Sequence, residues 1–202
     1  MGASSGFTGG AQYGISNSTT YSDYGTSTSE SQKSDWGTTI GTGWRTLTIS
    51  EWSYLFADRA SGSTVNGTNN ARYAMATINT NNGTGGVKGL IIFPDNVTIA
   101  NGEATSWGDI NGTSTWDSAT KCTTAQWTAL AAKGCVFLPA AGYRWGYDIN
   151  MVGNNGLYWS STPYQNSADN ACYISFYSNF LNPNNETSRN TGCAVRLVKD
   201  VQ

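Results

Sequence analysis

Histidine is absent from this 202-residue chain, and charge is scarce, with 11 Lys and Arg against 13 Asp and Glu. The missing imidazole removes the commonest general base and the commonest metal ligand. Cysteine is limited to Cys122, Cys135, Cys172 and Cys193, none in C-x-x-C spacing, so a zinc site on Cys alone is a poor fit and no metal or cofactor is expected. Two disulfides, with three possible connectivities, and free thiols both stay open. A net charge of −2 leaves no basic footprint, which argues against nucleic acid and anionic membranes as partners. Long apolar runs are missing too. The Leu90 to Pro94 run falls far short of the roughly 20 residues of a membrane helix. The beginning of the chain has neither the basic and apolar blocks of a secretion signal nor the hydroxyl residue of a myristoylation pattern, Gly6 standing in its place.

What the chain has in quantity is glycine, 24 residues, and bulky aromatics, including 8 Trp and 11 Tyr. That much aromatic surface offsets chain entropy in a way polar low-complexity sequence cannot, so a folded, loop-rich domain is expected. The length suits one domain, or one domain with an arm.

Residues 1–34 are Gly, Ser, Thr and Tyr with almost no aliphatic content. They read equally as a flexible arm or as an ordered wrap using Tyr13, Tyr21 and Tyr24. The main domain is expected over 35–202. Thr48-Ile-Ser-Glu51 is a capping box, in which the hydroxyl accepts from the amide three residues on and the Glu reaches back, a device worth about 1 kcal/mol. Trp52, Leu55, Phe56 and Arg59 follow at helical spacing. Thr123-Thr-Ala-Gln126 repeats the device, with Trp127, Leu130 and Ala131 expected inward and Gly134 placed to end the helix. Val87 to Pro94 reads as a buried strand closed by a turn at Pro94-Asp95-Asn96, and the pairs Asn66-Gly67, Asn82-Gly83, Asn101-Gly102 and Asn111-Gly112 mark turns or loops.

Further short strands are expected over 135–139, 157–161, 172–177 and 194–198. Within Ala171 to Tyr177 a period of two puts Ile174 and Phe176 on a core face and Tyr173, Ser175 and Tyr177 on a face free to bind. The stretch from Tyr143 to Val198 therefore combines an apolar framework of Tyr158, Trp159, Ile174, Phe176, Val195 and Leu197 with a dense run of Asn, Ser, Tyr and Asp. Those residue types form adaptable binding surfaces, Tyr giving contact area at low entropy cost and Ser, Gly and Asn giving adjustable hydrogen bonds.

The segments DWG-x3-G-x-G-WRTLTISEW-x2-L, KGLIIFPD, GCVFLPAAGYR, G-x2-G-x-YWSST-P and G-x-AVRLV resemble the C-type lectin-like variable proteins of diversity-generating retroelements in gut bacteria and their phages, and Bacteroidetes surface proteins with the same domain. The likeness spans about residue 35 to 198. It implies an α+β, C-type lectin-like fold of two short helices packed on short, mostly antiparallel strands with long loops, and a variable region over about 143–193. In that family a reverse transcriptase misreads template adenines, so Asn codons become others. The residues here that such a change can reach, and that the resemblance makes ligand-binding, are Tyr147, Ile149, Asn150, Asn154, Leu157, Tyr164, Asn166, Ser167, Asp169, Asn170, Tyr173, Tyr177, Ser178, Phe180, Asn182 and Asn184. Trp145, Met151, Gln165 and Glu186 are not reachable that way. Cys172 and Cys193 fall where the pattern tolerates many residues, which favours incidental thiols. The sugar-and-calcium signatures of vertebrate lectins are missing, so calcium-dependent sugar binding is not implied.

The resemblance thus implies a non-catalytic protein that displays a hypervariable surface to a protein or a surface glycan, on a virion tail or a bacterial envelope, for phage tropism or adhesion. Two other readings are weighed. One is a constant structural or adhesive surface module. The other is a relative of formylglycine-generating enzymes working through Cys172 and Cys193, with Asp148, Asp169 or Glu186 as acid or base, against which nothing in the sequence places a nucleophile beside an activating partner. Oligomeric state has no sequence signature.

Overall fold

The structure, a computed structural model, describes residues 40–79, 85–167 and 169–200. The arm expected over 1–34, the Asp35-Trp36 start of the domain and the Asn82-Gly83 turn lie outside the described residues.

In chain order the elements are β1 (Trp44–Thr46), α1 (Ile49–Ser53) running into a π-helical turn (Tyr54–Asp58), β2 (Thr64–Val65), β3 (Thr68–Asn69), β4 (Tyr73–Ile78), β5 (Val87–Ile92), β6 (Thr98–Ile99), a 3-10 turn (Asn101–Glu103), β7 (Thr120–Cys122), α2 (Thr124–Ala132), β8 (Val136–Pro139), β9 (Tyr143–Trp145), β10 (Asp148–Asn150), β11 (Gly156–Pro163), β12 (Asn170–Tyr177), β13 (Phe180–Ser188) and β14 (Leu197–Lys199). The fold is α+β, strand-rich, with small and largely antiparallel sheets.

The central sheet has the order β7-β4-β5-β8. Every residue of β4 is buried, because both sheet faces are covered. Alternation along β4 sends Tyr73 and Met75 into one core, with Trp52, Phe56, Leu90, Ile92 and Leu138. Ala74, Ala76 and Ile78 enter a second core with Ile91, Phe93, Cys122 and Leu130. The sequence reading passes over β4 because a strand buried on both faces loses the polar half of its alternation.

Both expected helices form where the capping boxes place them. Thr48 accepts from the Glu51 amide at 3.2 Å and its own amide donates to Glu51 Oε2 at 2.8 Å. Thr123 and Gln126 repeat the pattern at 3.2 and 2.9 Å. Trp52 and Phe56 stack in the first core, and Arg59, on the same stripe, is buried. Leu130 is buried and Trp127 half-buried against Phe137, but Ala131 is exposed, one residue off the inward stripe of so short a helix. Gly134 takes a φ of +94° and closes α2 as expected. Asn66-Gly67, both at positive φ, form the two-residue turn between β2 and β3.

The C-terminal sheet, in the order β11-β12-β13, packs one face on the first core through Tyr158, Ile174 and Phe176. Gly156 faces Phe176 across the β11–β12 pair, and a Cβ there would fall 2.0 Å from the phenyl ring. That glycine makes room for the Phe176 ring on the inner face. The first and last described strands, β1 and β14, pair antiparallel.

Candidate functional site

The segment 192–194 joins the β9–β10 hairpin to the C-terminal sheet. Arg144 and Gly192 exchange backbone hydrogen bonds of 2.9 and 2.8 Å, while the Ala194 amide donates to Leu157 O and the Trp159 amide to Ala194 O, both at 2.9 Å. A nearly continuous row of strands results: β10, β9, 192–194, β11, β12, β13. Its two ends carry most of the exposed bulk.

At one end stands the hairpin. Trp145 pairs with Asp148, leaving Gly146-Tyr147 as a two-residue turn, which Arg144 pins by donating from Nε to the Gly146 carbonyl at 3.0 Å. Trp145, Tyr147, Ile149, Met151 and Val152 are between 53% and 73% exposed. Five large apolar side chains within eight residues, none covered, form the kind of surface that soluble domains present to partners. The backbone beneath is fixed. Met151 takes a φ of +56°, unusual for a side chain of its size, and its carbonyl accepts from the Asn154 and Asn155 amides at 3.0 Å each. Gly142 lets this turn pack close, since a Cβ there would sit 2.2 Å from the Asn150 carbonyl.

At the other end Tyr177 and Phe180 flank the β12–β13 turn, their rings stacked at 4.4 Å and 13°. Between the two ends the outer face of the sheet is packed rather than open. Trp159 meets Tyr173 edge to face at 6.0 Å, and Asn185 donates from Nδ2 to the hydroxyls of Tyr173 at 3.1 Å and Ser175 at 3.2 Å. Burial raises the Tyr173 phenol, and the nearby Cys193 adds to the rise.

A family model described as a domain of unknown function (DUF8237) matches residues 72–198. The chain belongs to this family. The matched span opens just before β4 and ends within β14, so it includes the central sheet, α2, the hairpin and the C-terminal sheet. No curated protein and no solved structure matches the chain.

In this DUF8237 member the expected ligand-binding residues divide into three groups. Tyr147, Ile149, Asn154, Asn166, Asp169, Tyr177 and Asn184 are exposed. Asn150, Tyr164, Ser167, Asn170, Ser178, Phe180 and Asn182 are half-buried, several of them holding loops: Asn166 donates to the Tyr164 hydroxyl at 3.3 Å, Ser167 Oγ accepts from the Asp169 amide at 3.3 Å, and Asn182 Oδ1 accepts from the Asn184 amide at 3.0 Å.

Leu157 and Tyr173 are corrections, being 8% and 9% exposed. Ser175, also expected outward, is 4% exposed. The alternation along β12 is as expected, but the 192–194 segment and the Trp159 and Asn185 side chains close over its outer face. Val195, expected in the framework, is instead 38% exposed, because only Leu197, Val198 and Lys199 pair with β1.

Sequence reasoning left Trp145, Met151 and Val152 out of the binding set, although they are among its most exposed apolar groups. They stand in a short run rich in large apolar residues, Trp145 ending β9 and Met151 and Val152 following β10. Large apolar side chains are ordinarily assigned to a core, and here they stand exposed.

The four cysteines are free thiols. Burial pushes Cys122 up to about 11 and Cys135 up to about 12, and it raises Cys193 as well. Among the described residues no group of His, Cys, Asp or Glu is arranged to hold a metal ion, and no helix is long and apolar enough to cross a membrane.

Proposed function

We propose that the chain is a C-type lectin-like variable protein whose β9–β10 hairpin and neighbouring loops display a diversified, non-catalytic binding surface to a protein or surface glycan, in phage tropism or bacterial adhesion. The observation that carries this reading is the cluster of exposed apolar side chains, Trp145, Tyr147, Ile149 and Met151, around the turn that Arg144 pins. Tyr and Trp are the residues most often found as binding anchors, and a preset backbone lowers the ordering cost of association. Two short helices with T-x-x-[EQ]-W starts, followed by a C-terminal run of strands and loops that exposes the Asn-codon-reachable Tyr147, Ile149, Asn154, Asn166, Asp169, Tyr177 and Asn184, also favour it.

The thiols weigh against the formylglycine-type alternative. An attacking cysteine needs a lowered pKa, and burial moves Cys193 the other way.

A display library randomised at Tyr147, Ile149, Asn150 and Asn154, panned against bacterial surface proteins and glycans, tests the reading. It should yield binders whose affinity tracks those four positions while the unfolding midpoint stays constant. Binders that ignore those positions, or turnover of a substrate by the purified chain, would contradict it.

A further inference from the structure

A second concavity lies between α1, the end of β5, β8 and β14, where the display surface plays no part. Its volume is about 370 Å³, and Trp44, Leu55, Ile92, Val136 and Leu138 form much of its wall. Ligand pockets span roughly 300–1,000 Å³, so this one suits a single small amphiphile.

The charge around it has one sign. Arg59, Arg196 and Lys199 line the cleft and no carboxylate does. Asp95 and Asp200, on adjoining segments, are engaged by Arg59 and Arg45, each at 3.0 Å. Arg196 and Lys199 are exposed and have no ion-pair partner among the described residues.

Two donors behind the wall are enclosed rather than presented to the cleft. Arg59 spends Nη1 on Asp95 and Nη2 on the Phe93 carbonyl at 2.9 Å, yet its buried Nε has no hydrogen-bond partner. The indole Nε1 of Trp52, in the same wall, is likewise buried without an acceptor. Buried donors left unpaired carry their full desolvation penalty, and native structures rarely leave them so. An apolar cleft whose charged lining groups, Arg59, Arg196 and Lys199, are all cations complements an apolar tail that ends in an acidic acceptor.

We infer that this cleft binds a small monocarboxylate with an apolar tail, the tail lying against Leu55, Ile92 and Leu138 and the carboxylate held by the cationic side of the cleft. The site is independent of the display surface and does not rest on it.

Calorimetric titration of the full chain with decanoate, decan-1-ol and decyltrimethylammonium tests the assignment. Decanoate should bind saturably at one site, at least about tenfold more tightly than the alcohol, as expected for an added charge-assisted contact. The cationic amphiphile should be the weakest. The exposed substitutions Arg196→Glu and Lys199→Glu should each weaken decanoate about tenfold and leave the alcohol unchanged, while Leu55→Trp should weaken decanoate and alcohol together. The proposal is overturned if the full chain shows no saturable decanoate binding. Equal affinity for acid and alcohol, or decanoate binding indifferent to both charge reversals, overturns it as well.

Discussion

Asn185, on β13, donates from Nδ2 to the hydroxyl of Tyr173 on β12 at 3.1 Å, so a tyrosine whose sequence setting marks it for display is instead tied into the sheet. The same amide group reaches Ser175. Removing it strands two hydroxyls on a packed face, and Asn185→Ala is expected to cost about 1–2 kcal/mol in denaturant unfolding. Tyr147→Ala, at an exposed turn, should stay within about 0.5 kcal/mol of the parent. Equal effects would mean that the division between packed and displayed residues is misdrawn.

Gly156 is the tightest point of the inner face. Gly156→Ala would drive a methyl group into the Phe176 ring, 2.0 Å from its nearest atom. Overpacking of this kind costs roughly 1–3 kcal/mol. Thermal unfolding should show the loss, and the double variant Gly156→Ala, Phe176→Leu should recover part of it. An unchanged midpoint in the single variant would show that β11 and β12 are not packed this closely.

Glu51 ties the start of α1 to β1. Burial works to raise its carboxyl, but the Arg45 guanidinium, at 2.7 and 2.8 Å, and the Thr48 amide and hydroxyl together hold it below its ordinary value of 4.5. A carboxyl whose pKa is lower folded than unfolded stabilises the fold at pH above its unfolded value, and that contribution disappears as pH falls through the lower folded value. Stability should therefore drop below about pH 4.5 in the parent. Glu51→Gln should be less stable at neutral pH and show a shallower acid loss. Parallel pH profiles for the two proteins would remove Glu51 from the account.

The thiols supply a separate check. With Cys122 and Cys135 pushed up to about 11 and 12 and Cys193 also raised, little thiolate forms in the folded state at pH 8. An aromatic disulfide reagent should titrate these groups only slowly in native protein and titrate all four cysteines once the chain is unfolded. Fewer than four after unfolding without reductant would reveal a disulfide.

The sequence announced its local devices well and its long-range closures poorly. Both capping boxes, the Gly134 stop and the buried strand ending before Pro94 were legible because each is set by side chains a few residues apart. Hidden from it were β4, whose two buried faces erase alternation, and β13, where Pro183 and a run of Asn read as loop although the backbone pairs with β12 from Phe180 to Ser188. In the candidate site, the outward half of β12 was correctly separated from Ile174 and Phe176. The burial of Tyr173 and Leu157 was not legible, since it depends on residues 192–194 arriving beside β11 from far along the chain. Trp145 and Met151 were missed for the opposite reason, because large apolar residues normally predict burial and here stand exposed.

Sequencing this gene across many isolates tests the central claim most directly. A retroelement-diversified display surface predicts that amino-acid-changing differences concentrate at exposed, Asn-codon-reachable positions such as Tyr147, Ile149, Asn154, Asn166 and Asn184, beside a reverse-transcriptase gene and a near-copy of the variable region. Gly156, Tyr173, Ile174 and Phe176 should stay constant. Differences that are mostly silent, or spread evenly over buried and exposed positions alike, would contradict it.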